Sequence, residues 1–197
     1  MPITLNGSGT VSGISAGGLP DGIIQSADLA TGVGGKVLAY QNAVKTDTST
    51  TTSTTYVDIS GLSITLTPSS AASRFRIDYH VNFAVPSSVY SGSLKLVKVV
   101  DGTTTDDIYV GAAGGSRTRC SNWTWSTNAG YSSYPIALFS GSLIHHPNTT
   151  DAVTFKLQYR SHYTGGFTVY VNRNENDSDS DTHGRGASAI SVMELAA

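Results

Sequence analysis

SRFRIDYHVNFAV, residues 73–85, decides how the rest of the chain is read. Phe75, Ile77, Tyr79, Val81 and Phe83 recur at every second position, and Arg74, Arg76, Asp78, His80 and Asn82 fill the places between. Successive side chains of a strand point to opposite faces, so this pattern makes a strand with one apolar face to bury. A helix would scatter the same five residues around its axis, where no single partner could cover them.

Similar stretches follow through the chain. KVLAYQNAV (36–44), TYVDIS (55–60), LSITLTP (62–68), SLKLVKVVD (93–101), DIYVGAA (107–113), YPIALFSGSLIHH (134–146), DAVTFKLQYRS (151–161), FTVYVN (167–172) and ASAISVMELA (187–196) all read as strands. In 151–161 the alternation is as regular as in the opening stretch: Val153, Phe155, Leu157 and Tyr159 face inward, and Lys156, Gln158 and Arg160 face outward. The two apolar faces are therefore expected to pack across or beside each other. The Thr/Ser-rich run at 45–55 reads as an exposed connection, GTTTD (102–106) as a hairpin-like loop, and Gly141 as a site for a bulge. About nine short strands with turn chemistry between them, and no convincing helix, predict an all-β antiparallel sandwich, jelly-roll-like, over residues 36–197.

Residues 1–35 have a different grammar. Glycines are frequent, and isolated Ile3, Leu5, Val11, Ile14, Leu19, Ile23 and Ile24 lie between them. Such a segment loses too much backbone entropy to order by itself, yet it carries too many aliphatic residues for a plain flexible linker. The expectation is an N-terminal anchoring and oligomerisation arm that orders against other chains, with those seven residues as its docking contacts.

Composition narrows the function classes. In 197 residues only 13% are charged and the net charge is -2, without the clustered Lys and Arg of a nucleic-acid-binding protein. Cys120 is the one cysteine, so no intrachain disulfide framework exists. No apolar run approaches the length of a membrane helix, and the opening MPITLNGSG lacks the basic and apolar regions of a secretory signal. Synthesis in a cytoplasm is expected, without membrane insertion.

No catalytic constellation emerges. There is no G-x-S-x-G elbow, no Walker spacing, and Glu occurs only at 175 and 194, so paired carboxylates for glycoside hydrolysis have little to draw on. Asp177, Asp179 and Asp181 imitate the start of a calcium loop, but Thr182 stands at the sixth position and Ser188 at the twelfth, where Gly and Glu are needed. His145 and His146 are adjacent and would point to opposite faces of a strand. No enzyme, metal or cofactor is expected. The stretch SRTRCSNWTWSTNAGYSSY (116–134) is different, because it gathers Arg117, Arg119, Trp123, Trp125, Tyr131 and Tyr134 in a polar, glycine-rich setting. Aromatic faces accept the C–H faces of sugars, and Arg satisfies hydroxyls, so these six are candidate receptor or glycan contacts. If the piece is a strand, Trp123 and Trp125 share a face, and core or subunit-interface packing is then the competing reading.

The run ITLNGSGTVSGISAGGLPDGIIQSADLATGVGGKVLAYQNAVKTDT (3–48), followed by a Ser/Thr tract, GLSITLTPSS (61–70) and a terminal SAISVMELA (188–196), resembles a family of bacteriophage structural proteins. The family is common among marine and cyanobacterial phages and is usually described as tail fibre or virion structural protein. The likeness covers the first seventy residues and the last ten. It implies a virion component whose N-terminal arm docks on other particle proteins and whose β domain projects outward, as a homotrimer, to meet a host-surface glycan or protein. A capsid-decorating (cement) protein that stabilises the head is the alternative it leaves open, and a stand-alone carbohydrate-binding module is a further one.

Overall fold

The computed structural model describes residues 37–86, 91–125, 135–163, 165 and 167–197. The 1–35 arm and its seven candidate docking residues lie outside the described residues, as do Tyr131 and Tyr134. The strands are β1 (Val37–Lys45), β2 (Ser49–Thr51), β3 (Val57–Leu66), β4 (Arg74–Ala84), β5 (Ser91–Val100), β6 (Thr104–Asp107), β7 (Asn122–Trp125), β8 (Ala137–His145), β9 (Val153–Ser161), β10 (Val169–Val171) and β11 (Ser188–Leu195). There is no helix among the described residues.

The apolar faces identified from alternation are what the two sheets bury. One sheet runs β1-β11-β4-β8, with β10 continuing along β4 beyond the end of β11 and β2 pairing β10. The other runs β3-β9-β5, with β7 and β6 paired to successive halves of the free edge of β5. All of these pairings are antiparallel. Following the long strands in chain order, the path visits the first sheet (β1), the second (β3), the first (β4), the second (β5 to β7), the first (β8), the second (β9) and the first (β11). That interleaving is the double-sheet jelly roll.

The core lies between the sheets. Phe75, Ile77, Val81 and Phe83 of β4 face Phe155 and Leu157 of β9 and Leu94 and Leu96 of β5, all fully buried. Phe75 and Phe155, the leading aromatics of the two most regular stretches, meet across the sandwich with ring centroids 5.5 Å apart. Burying each such side chain contributes about 1.5–3 kcal/mol. Arg74, Arg76, Asp78 and His80 point outward from β4, where Arg76 pairs with Asp78 at 2.9 Å and Ser142 donates to Asp78 at 2.6 Å.

Several expectations are corrected. The stretches 55–60 and 62–68 form one strand, β3, whose register with β9 shifts between Asp58 and Ser63, around Gly61 at φ 85°. Part of the Thr/Ser connection pairs as β2. Of the expected strand at 107–113 only Asp107 pairs, as the last residue of β6, whose other three residues lie inside the expected loop, and 108–113 is irregular chain. Asp101 and Gly102 both take positive φ, which reverses the chain directly after Val100 and leaves Thr104 free to pair. Gly141 is no bulge, since β4 and β8 stay in register through Tyr79 and Gly141. The glycine is there for space: a Cβ at 141 would come within 2.5 Å of the Tyr79 ring.

One end of the jelly roll is tied by a buried amide. Asn172, at φ 63°, donates to the carbonyls of Lys45 and Asp47 at 2.8 and 2.9 Å and accepts from Ser188, whose hydroxyl in turn accepts from the Asn82 backbone N–H at 3.0 Å. Each polar group in the set has a partner, which is the condition for such a network to rigidify rather than destabilise.

Candidate functional site

The outer face of the second sheet carries an aromatic and basic groove, and strand register explains how it arises. Trp123 on β7 lies opposite Ser93 on β5, which lies opposite Arg160 on β9. One step along, Trp125 lies opposite Ser91, and the amide of His162 donates to the Ser91 carbonyl at 3.1 Å. β7 is therefore a strand whose two indoles share a face, as their spacing requires. That face is the solvent side: Trp123 is 50% and Trp125 40% exposed. Among the described residues, neither indole is packed into the core.

The rings stand 6.0 Å apart, and Trp125 meets Tyr163 edge-on at 6.2 Å. The chain from 108 to 121 leaves β5 and returns to it, held at its ends by Ile108 N–H to Leu96 O and Ser121 N–H to Leu94 O. Between these anchors it supplies Arg117, Thr118 and Cys120, which with Ser91, Trp123 and His162 line a groove of about 510 Å³.

Beneath the groove sits a polar chain whose proton positions can be worked out. Arg160 Nη2 lies 2.8 Å from His162 Nδ1, and a guanidinium can only donate, so Nδ1 accepts. His162 Nε2 therefore carries the hydrogen and donates to Ser93 Oγ at 2.9 Å. Ser93 Oγ and Tyr56 Oη share a further bond of 2.7 Å. Burial, with the Arg160 charge beside it, pushes His162 down to about 4, so the ring is neutral at neutral pH. Burial also raises the Tyr56 hydroxyl and the Cys120 thiol above their ordinary values.

Arg160 is held by neutral acceptors. Its Nη1 donates to Thr54 O and its Nη2 also reaches Thr118 Oγ1, both at 3.1 Å, while its guanidinium lies 5.2 Å from the Tyr56 ring centre. Its buried Nε has no hydrogen-bond partner among the described residues. Neither Arg160 nor Arg117 nor Arg119 pairs with a carboxylate among the described residues. The nearby Asp107 is engaged by Lys95 at 2.6 Å. The groove is consequently electropositive in a chain whose net charge is negative.

Of the six candidate contacts, Arg117 and Trp123 line the groove and Trp125 adjoins it. Arg119 does not line it. It turns back to donate from Nε to Gly111 O at 2.9 Å, stapling the loop that carries Arg117. Tyr56, Ser93, Arg160 and His162 carry no shared sequence signal, because they come from three separate strands or strand ends and no spacing links them. The outward alternation of Arg160 was the one available signal.

Elsewhere, Asp177 of the acidic loop takes a two-pronged contact from Arg185 at 2.9 and 2.8 Å and lies 3.3 Å from Arg173. Its carboxylate is held below the usual range by Arg185. Guanidinium groups occupy the oxygen atoms that Asp177, the first of the three carboxylates, would aim at a cation. Among the described residues no cluster of three or more His, Cys, Asp or Glu could hold a metal ion, and no helix is long and apolar enough to cross a membrane. Glu194 is buried and accepts from Ser69 N–H at 2.6 Å and from its hydroxyl at 3.2 Å, a role in joining the 67–73 turn to β11.

No protein-family model matches the chain, and no curated protein sequence is significantly similar to it.

Proposed function

We propose that this protein is a bacteriophage virion component of the fibre-like type, in which residues 1–35 dock on other particle proteins and the jelly roll recognises the host surface through the Trp123 groove. The phage assignment rests on the resemblance of residues 3–70 and 188–196. The recognition role rests on one observation: two neighbouring indoles of strand β7 are held in solvent beside guanidinium groups that have no carboxylate partner among the described residues. Leaving that much aromatic surface in water costs folding free energy that burial would recover, and a sugar or protein ligand that covers the rings offsets that cost.

A second feature supports homotypic assembly, with a homotrimer as the form we propose. The outer face of the first sheet keeps Tyr40 and Val44 of β1 and Leu138 and Ile144 of β8 exposed, with values between 57% and 65%. They flank the polar centre made by Arg76, Asp78, His80 and Ser191, which gives the face apolar margins for packing against a second copy. The same surface would serve a capsid-decorating protein, and the position of the chain in a particle map distinguishes the two.

Particles carrying Trp123→Ala and Trp125→Ala test the recognition role. They should assemble normally and lose host adsorption by about tenfold or more, equivalent to about 1.4 kcal/mol. Unchanged adsorption by such particles contradicts it.

A further inference from the structure

The groove has a charge signature that neutral-sugar recognition does not require. A site for neutral hydroxyls needs donors and acceptors in similar numbers, usually amides and carboxylates beside the stacking ring. Here the charged side chains at or under the groove without a carboxylate partner among the described residues are Arg117 and Arg160, with Arg119 stapling the same loop, while Lys95, over the Tyr56 ring, and the carboxylate of Asp107 engage each other at 2.6 Å. Arg160 cannot swing out to meet a ligand, because Thr54, Thr118, His162 and the Tyr56 ring fix it in place. It acts as a stationary positive charge under the floor. Arg117 is the opposite case. It is exposed on the groove wall, and its guanidinium makes a long bond from Nη1 to Gly114 O at 3.3 Å, within its own turn. That leaves donors of its planar fork available to an anion.

Resting on the recognition role given above, we infer that the ligand is an anionic saccharide. One sugar ring stacks on Trp123, and the carboxylate or sulfate of that ring or its neighbour is held by Arg117 over the fixed charge of Arg160. The polar partners for the ring hydroxyls are the Ser91 and Thr118 groups that line the same groove. A guanidinium with no carboxylate partner among the described residues attracts an anion more strongly than a hydroxyl, and the fixed charge of Arg160 adds to that attraction, so charge, rather than ring stereochemistry, should dominate discrimination.

The protein carries its own reporter. Trp123 and Trp125 are the two tryptophans of the chain, so all of its indole fluorescence comes from the groove. The full-length protein is titrated with three matched probes: a galacturonate oligosaccharide, its carboxyl-reduced galactose counterpart, and a 6-sulfated galactose oligosaccharide of the same length. The uronate or the sulfate, or both, should change the emission saturably, with an affinity at least about tenfold above that of the neutral chain. The preferred acid identifies which anion the groove takes. Arg117→Gln should bring acidic and neutral probes to equal affinity while leaving the thermal midpoint unchanged, and Arg117→Lys should restore part of the preference. Equal binding of all three probes by the native protein overturns the anion inference but leaves sugar recognition standing. Absence of any response, with host cells also failing to change the emission, overturns both.

Discussion

His162 Nδ1 accepts a hydrogen bond from Arg160 Nη2 at 2.8 Å, so a histidine is fixed as a neutral acceptor beside a permanent cation. Protonating that ring would put two positive charges in contact in a half-buried site, and burial together with Arg160 lowers its value from 6.5 to about 4. The unfolded chain still takes up a proton near 6.5, so it gains protons first as the pH falls. Stability should therefore be level above about pH 6.5, decline between 6.5 and 4, and flatten with respect to this group below 4. His145, lowered mainly by burial, contributes in the same direction. Urea unfolding at a series of pH values is expected to show that decline, and His162→Gln is expected to reduce its slope. An unchanged slope in the variant contradicts the geometry of the Arg160 contact.

Gly141 faces Tyr79 across the β4–β8 ladder with no room for a methyl group. Gly141→Ala should cost about 1–3 kcal/mol, as small-to-large changes in a filled site do. Gly111→Ala, where a Cβ meets nothing within 4 Å, should stay within about 0.5 kcal/mol of the native protein. Chemical denaturation of both variants checks the contrast. A neutral Gly141→Ala would contradict the reading that this glycine makes room for the Tyr79 ring.

Cys120 lines the groove, and its thiol is raised above its ordinary value by burial. Alkylation by iodoacetamide at neutral pH should accordingly be slower than that of a free thiol, because less thiolate is present. The adduct should fill part of the groove and weaken saccharide binding, and bound saccharide should slow the alkylation further. Intact-mass measurements over time follow both effects.

The two long apolar alternations at Phe75–Phe83 and Val153–Tyr159 were legible in the sequence because a strand's period of two needs no tertiary information. Their contact across the sandwich follows, since each has one face to hide. Turn chemistry was less legible. Asp101-Gly102 reverses the chain two residues earlier than the composition of GTTTD suggests, and this moved a strand from 107–113 to Thr104–Asp107. Gly61 and Gly141 look alike in sequence, yet one accompanies a register shift and the other clears space for a ring from a different strand. The groove was half visible. Trp123 and Trp125 stood out as aromatics in polar company, whereas Arg160, His162, Ser93 and Tyr56 join them only through the pairing of β7, β5, β9 and β3, which no local pattern encodes.

The central claim is that the Trp123 groove is the surface that meets the host. Host-envelope polysaccharide titrated into the full-length protein, with tryptophan emission and co-sedimentation read on the same samples, tests it most directly. The account predicts that emission changes in step with co-sedimentation, and that both are lost together in Trp123→Ala. Co-sedimentation that saturates while the emission of Trp123 and Trp125 stays constant would place recognition elsewhere on the molecule and contradict it.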